Sequence, residues 1–282
     1  MSKSFSLVNG IFKKTISVYD RGLAYGDGIF ETMLWSTKKI DSKKSYEVEY
    51  WKKHLERLFN SCSRIKLKLP SENLINQYKN KILEKSYENG LRKGVLKIII
   101  TRGEGARGYK FDINMKPTII ILSSPFNNSL EKDRYKNGVK VKICDTHIFD
   151  NQSLFGMKHL NRLDSVIARA EWDSEFYEGL FIDNNKNLLE GTMTNIFFVK
   201  NKVLFTPKLK SFGINGIMRQ VIIEKANIFF KDLIEREIKL SEVQNFDSMF
   251  LSNSIIKVVP VKSLEKVNFK ISNELKRLIN FF

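Results

Sequence analysis

The chain is expected to fold as an α+β protein of two domains, and three features of the sequence point there. Strand-like and helical segments are mixed without a strict βαβ rhythm. The length of 282 residues exceeds the usual size of one domain. A polar stretch holding Pro125, Asn127, Asn128 and Gly138 interrupts the pattern near the middle and predicts a linker. The division is therefore an N-terminal α/β domain over 1–124, a linker over 125–138 and a C-terminal domain over 139–282.

Taken in order, Phe5 to Val8, the Asn9-Gly10 turn and Ile11 to Val18 predict a hairpin, because Asn-Gly accepts positive φ. Ile29 to Trp35 follows as a strand. Trp51, Leu55, Leu58, Phe59, Cys62 and Ile65 recur at helical spacing and predict a helix over 51–65. A second helix over 72–88 is bounded by Pro70-Ser71 and Asn89-Gly90. Gly94 to Thr101 and Thr118 to Leu122 are β-branched runs suited to buried strands. Beyond the linker come a strand over 139–143, a helix over 161–175 and a strand over 180–182. A hairpin of 196–199 and 203–205, a helix over 217–230, strands near 249–252 and 255–261 and a helix over 273–279 complete the chain.

With 42% hydrophobic and 28% charged residues, the chain carries enough apolar material for a core. No run of about 18 apolar residues occurs, which argues against a membrane span. Met1 to Asn9 is too short and too polar for a secretory signal. Cys62 and Cys144 form no metal or disulfide spacing, so a cytoplasmic setting is expected. The net charge of +17 raises nucleic-acid binding as a reading of another class. The lysines are scattered, however, as in Lys38-Lys39, Lys43-Lys44 and Lys52-Lys53, and no Cys/His finger or aromatic ribonucleoprotein motif accompanies them. A solvated lysine surface, or a field that attracts small anions, explains the charge as well.

Four segments interrupt hydrophobic patterns that would otherwise continue: Asp20 to Thr32, Gly156 to Leu163, Glu190 to Asn195 and Gly213 to Arg219. Singly each has an ordinary explanation. Lys158 between Met157 and His159 reads as a surface lysine, and Glu190-Gly191 as a turn. Gly-Ile-Asn-Gly ahead of a helix reads as a cap, although it also leaves backbone N–H groups facing an approaching anion.

Together and in this order, the segments resemble the class IV aminotransferase family of pyridoxal 5′-phosphate (PLP) enzymes, also called fold-type IV. That family contains branched-chain aminotransferases, D-amino acid aminotransferases and 4-amino-4-deoxychorismate lyases. The resemblance runs from about Val8 to Val261. Gly-Asp-Gly-Ile-Phe-Glu, Lys-His-Leu-Asn-Arg-Leu and Asn-Gly-Ile-Met-Arg-Gln look most like the lyase branch. Arg102 to Tyr109 is similar to an Arg-Gly-x-Gly-Gly-Arg-Gly-Tyr motif of those lyases, with Ala106 where glycine is usual. That departure puts a glycine-dependent backbone angle in question.

The resemblance implies PLP as cofactor, a small-molecule substrate and a homodimer. It assigns Lys158 as the Schiff-base lysine that also moves protons, and Glu190 as the partner of the pyridine nitrogen. It assigns the cofactor's phosphate to Arg57, to the backbone N–H groups of Ile217 and Met218, and to Asn253. Asn195 is placed near the phenolic oxygen. Arg107 is the candidate for a substrate carboxylate, since guanidinium offers a bidentate fork. Tyr25, Thr32 and Tyr109 are expected to line the pocket. The leading function is the lyase reaction, with branched-chain or D-amino acid transamination as the alternative.

Overall fold

A computed structural model describes residues 4–40, 43–126, 131–148, 151–210 and 212–282. It divides into two compact units, Met1–Asn127 with Met157–Asn161, and Asn128–Gly156 with Arg162–Phe282.

The first unit opens with the hairpin β1 (Phe5–Val8) and β2 (Ile11–Phe12). Its turn residues Asn9 and Gly10 have φ of 49° and 80°, as a two-residue hairpin turn requires. A short helix α1 (Arg21–Tyr25) leads into β3 (Gly28–Ile40) and β4 (Lys43–Val48). The helices α2 (Trp51–Arg64) and α3 (Glu72–Glu88) follow, then β5 (Lys93–Thr101) and β6 (Thr118–Pro125). The strands form one antiparallel sheet in the order β2-β1-β6-β5-β3-β4. Alternation along β3 sends Met33 and Trp35 into a core with Leu55, Leu58 and Cys62 of α2 and Ile75, Ile82 and Leu83 of α3. Glu31 goes the same way, and Phe30 and Thr32 take the opposite face.

The second unit begins with α4 (Glu131–Asn137), β7 (Val139–Ile143), α5 (Leu163–Arg169), β8 (Glu178–Ile182) and β9 (Leu188–Gly191). It continues through β10 (Asn195–Lys200), β11 (Val203–Pro207), α6 (Ile217–Glu224), α7 (Ala226–Phe229) and β12 (Asp232–Arg236). After a 3-10 turn over Leu240–Asn245 come β13 (Ser248–Asn253), β14 (Lys257–Leu264), β15 (Val267–Asn268) and α8 (Asn273–Phe281). Its mixed sheet runs β12-β11-β10-β13-β14-β7-β8-β9, with β15 on β14. The core gathers Ile196, Phe198, Met249, Leu251, Val259 and Val261 from the central strands.

Four expectations change. The expected linker over 125–138 includes α4 at Glu131–Asn137, and Asn127 and Asn128 lie outside the described residues. Met157–Asn161, expected in the C-terminal domain, belongs to the first unit. The reason is backbone pairing: Phe30 N–H donates to the Lys158 carbonyl at 2.9 Å and Leu160 N–H to the Gly28 carbonyl at 3.0 Å. The helix expected over 161–175 is confined to Leu163–Arg169, and the one expected over 217–230 is broken at Lys225 into α6 and α7. Among the described residues no helix is long and apolar enough to cross a membrane.

Candidate active site

In the first unit the predicted lysine sits on a short strand-like segment beside the start of β3, where His159 bridges Ile29. Lys158 is half-buried, with Nζ 4.5 Å from the centroid of the Phe30 ring. That places its amine on the sheet face that Phe30 shares with Thr32, and Lys97 Nζ reaches the same ring at 4.9 Å. Thr32 is half-buried on this face, opposite Lys97 in the β3–β5 register.

Arg57 lies on α2 one turn after His54, and both converge on Glu31. Arg57 Nε donates to Glu31 Oε1 at 2.7 Å and Nη2 to Oε2 at 2.6 Å, with His54 Nδ1 at 2.6 Å from Oε2. Burial alone would raise the Glu31 pKa. The charge and fork of Arg57 and the hydrogen bond with His54 outweigh it and hold the group at about 2. Burial lowers the His54 pKa, opposed by Glu31 and aided by the charges of Arg57 and Lys158.

The loop carrying Arg107 is tied to α1. Tyr25 Oη accepts from Gly108 N–H at 2.9 Å, and the Tyr25 and Tyr109 rings lie 5.4 Å apart. Tyr109 is 84% exposed, and Arg107 is exposed. Ala106 is absent from the non-glycine residues with positive φ, so the position where the motif expects glycine needs none. Gly103 does: its φ is 88°, and a Cβ there would stand 2.0 Å from the Lys116 carbonyl oxygen.

In the second unit Glu190 stands next to the end of β9 and Asn195 begins β10. Both are buried. Ile214 N–H donates to Glu190 Oε2 at 2.9 Å, and Asn195 Nδ2 donates to Glu190 Oε2 at 3.3 Å and to the Ile214 carbonyl at 3.0 Å. The side chain expected near the phenolic oxygen thus contacts the carboxylate of Glu190. Gly216, the N-cap of α6, would bring a Cβ within 2.0 Å of Asn195 Oδ1. The N-cap Gly216 has no side chain with which to cap α6, and the N–H groups of Ile217 and Met218 stand in the first turn, where no intrahelical partner exists. Asn253 is committed locally: Oδ1 accepts from Ile255 and Ile256 N–H at 2.9 Å, and Nδ2 donates to the Met193 carbonyl at 3.2 Å.

One residue of this unit escaped sequence reasoning. Glu178 on β8 is fully buried, and its carboxylate gathers the turn between β9 and β10. Oε1 accepts from Thr192 Oγ1 at 2.6 Å, Thr192 N–H at 3.1 Å and Gly179 N–H at 3.0 Å; Oε2 accepts from Thr194 Oγ1 at 2.9 Å and Met193 N–H at 3.2 Å. Burial raises its pKa and these hydrogen bonds oppose the rise. A strand glutamate followed by Gly179 looks like any edge residue. Two threonines beside Glu190 were the only signal of a buried acceptor.

The Amino-transferase class IV family pattern matches residues 28–264. An aminodeoxychorismate lyase of Vibrio harveyi is 29% identical over 278 residues, 96% of this chain and 97% of that protein. A putative branched-chain-amino-acid aminotransferase of Methanocaldococcus jannaschii is 29% identical over 256 residues, 89% of this chain and 83% of that protein. The crystal structure of 4-amino-4-deoxychorismate lyase from Pseudomonas aeruginosa superposes with a TM-score of 0.86 at 32% identity, covering 98% of this chain and 97% of that one.

The chain belongs to the class IV aminotransferases, and PLP is its cofactor. The residues fit that group on their own chemistry. One unit offers a half-buried primary amine and a guanidinium, and the other a buried carboxylate and a helix N-terminus with glycine at its N-cap. The buried Ser252 hydroxyl, opposite Asn195 in the β10–β13 register, lacks a hydrogen-bond partner among the described residues. It is a further polar group available to a ligand.

Proposed function

We propose that the chain is a 4-amino-4-deoxychorismate lyase, releasing 4-aminobenzoate and pyruvate. The observation that carries this is the near full-length likeness to two such lyases, one at 32% identity. The Arg102 to Tyr109 loop of the lyase pattern supports it.

Bound PLP supplies an electron sink for the negative charge left when the substrate's amine-bearing carbon loses its proton. Lys158 Nζ would hold the cofactor and, as a free amine, would remove that proton. Phe30 keeps the lysine on its sheet face. Glu190 would hold a proton on the pyridine nitrogen, its carboxylate kept aimed by Asn195 and the Ile214 N–H. Arg57, oriented by Glu31, would take the phosphate in the first unit, and in the second the N–H groups of Ile217 and Met218 are suited to the same anion. Asn253 supports the Met193 turn. Arg107 takes a substrate carboxylate, and Thr32 and Tyr109 line its approach. Loss of the enol-ether oxygen with its three-carbon side chain then yields pyruvate, and aromatisation of the ring drives the step.

Aminotransfer is the second reading, favoured by the likeness to the archaeal putative aminotransferase. The two part after proton removal, because aminotransfer ends in release of a keto acid and the lyase reaction in release of pyruvate. Incubation with 4-amino-4-deoxychorismate separates them: the lyase yields 4-aminobenzoate and pyruvate with no added keto acid. Transfer from isoleucine or D-alanine to 2-oxoglutarate without 4-aminobenzoate overturns the lyase reading.

The chain is also proposed to act as a homodimer in the cytoplasm. Exposed Leu163, Val166 and Ile167 on α5, at 69%, 62% and 53%, form an apolar stripe that a second copy would cover. Light scattering that gives a monomer mass refutes the dimer.

A further inference from the structure

Arg21 is buried, yet the assigned chemistry gives it no part. Its Nε donates to Asp27 Oδ2 at 2.9 Å, Nη1 to the Gly108 carbonyl at 2.8 Å and Nη2 to the Tyr109 carbonyl at 3.2 Å. One guanidinium thus grips the backbone immediately after Arg107. Tyr25 Oη takes the remaining backbone group of Gly108, its N–H, at 2.9 Å. Gly108 is therefore held at both its N–H and its carbonyl, by two side chains of one short helix.

The grip is anchored. Asp27 is shared with Arg102, whose Nε reaches Oδ2 at 2.8 Å and Nη2 reaches Oδ1 at 3.0 Å. Arg102 also donates to the Lys66 and Ile65 carbonyls at the end of α2, both at 2.8 Å. Burial opposes ionisation of Asp27, but the two arginines prevail and hold its pKa below the ordinary value. Backbone bonds zip the same segments together, from Arg21 N–H to the Gly103 carbonyl at 2.9 Å and from Gly105 N–H to the Tyr19 carbonyl at 3.2 Å. A Cβ at Gly105 would meet Arg21 Cδ at 2.8 Å, so this close approach needs glycine.

We infer that Arg21 and Tyr25, anchored through Asp27 and Arg102, are positioning residues that fix Arg107 for the substrate carboxylate. Arg107 itself is exposed, so its own side chain is not packed into place. Its aim is set by the backbone on which it stands. The inference rests on the carboxylate role proposed for Arg107, and it moves Tyr25 from lining a pocket to holding a loop.

The test uses the PLP-loaded enzyme with 4-amino-4-deoxychorismate, in the variants Arg21→Lys, Tyr25→Phe and Arg107→Ala and the two doubles with Arg107→Ala. Lysine at 21 keeps the charge beside Asp27 but lacks the fork that spans two carbonyls. Arg21→Lys should raise KM about tenfold, the size of one charge-assisted hydrogen bond, with kcat changed less and the absorption band of bound PLP unchanged. Tyr25→Phe should give a smaller rise in the same direction. In the Arg107→Ala background neither should add to the loss, because each acts through Arg107. Trypsin reads the loop without activity: cleavage after Arg107 should be faster in Arg21→Lys and Tyr25→Phe than in the wild type. Cleavage that is not faster, or losses that add in the doubles, overturns the inference while leaving Arg107 its role. A normal KM in Arg107→Ala refutes the carboxylate reading itself, and the inference with it.

Discussion

The carboxylate of Glu31 lies in the fork of Arg57, with Nε at 2.7 Å from Oε1 and Nη2 at 2.6 Å from Oε2. The pair joins the Gly-Asp-Gly-Ile-Phe-Glu segment on β3 to the His-Leu-Glu-Arg-Leu segment on α2. Its two parallel bonds fix the plane of the guanidinium. The phosphate arginine proposed here is thus oriented before a ligand arrives, and that preorganisation reduces the ordering cost of binding.

Removing that carboxylate should therefore act on stability and on cofactor retention together. Glu31→Gln leaves Arg57 uncompensated beside a buried amide, a change that costs about 3–5 kcal/mol when a buried pair is broken. Urea unfolding should show the loss in the apo protein. Equilibrium dialysis should show weaker retention of PLP. Wild-type stability and retention in this variant would remove Glu31 from the account.

The same group predicts an acid limb. Glu31 is held at about 2 against an ordinary 4.5, so as pH falls the unfolded chain takes up a proton first. Its contribution is complete above about pH 4.5 and is lost as pH falls toward 2, roughly 3 kcal/mol in all. His54, lowered from 6.5 by burial, adds a loss that begins nearer neutrality, since the unfolded chain again binds the proton more readily. Urea midpoints measured from pH 7 to pH 3 should fall, and the fall below pH 4.5 should flatten in Glu31→Gln. An equally steep limb in the variant contradicts the assignment.

Much of this was legible in the sequence, and the failures have physical causes. The helix α3 is capped by Ser71, whose hydroxyl accepts from Leu74 N–H at 3.2 Å, so its boundary was written in the chain. The strand β4 was not: Lys43-Lys44-Ser45 lacks apolar alternation because β4 is an edge strand, where charge is favoured. The motifs singled out Lys158, Glu190 and Arg57, but the partners of these residues lie far off in sequence. Nothing local in Met157–Asn161 says that it pairs with β3. Glu31 and Arg57 are 26 residues apart, and Asn195 reaches Ile214 across 19. Such pairings come from tertiary packing, which residue spacing does not encode.

Glu178 should matter as an acceptor. Glu178→Gln swaps one oxygen for an amide nitrogen that must face donors such as Met193 N–H or the Gly179–Thr192 pair of N–H groups. Leaving buried donors unpaired costs about 1–3 kcal/mol. Thermal unfolding should register that loss. Thr194→Ser, which keeps the hydroxyl, should be milder than Thr194→Val. Equal stability of Glu178→Gln and the wild type would show that the turn does not depend on the carboxylate.

Glu190→Gln should separate holding the cofactor from using it. A neutral amide cannot hold the pyridine proton by charge, so the band of bound PLP should persist while turnover falls about 100-fold or more, the scale on which placed acid–base groups act. Turnover near the wild-type rate would refute the role.

The most direct measurement is borohydride reduction of the PLP-loaded protein, followed by peptide mapping. The account predicts a pyridoxyl group on Lys158 alone, and no such label and no visible band in Lys158→Ala. A label on any other of the lysines, with Lys158 unmodified, would contradict it.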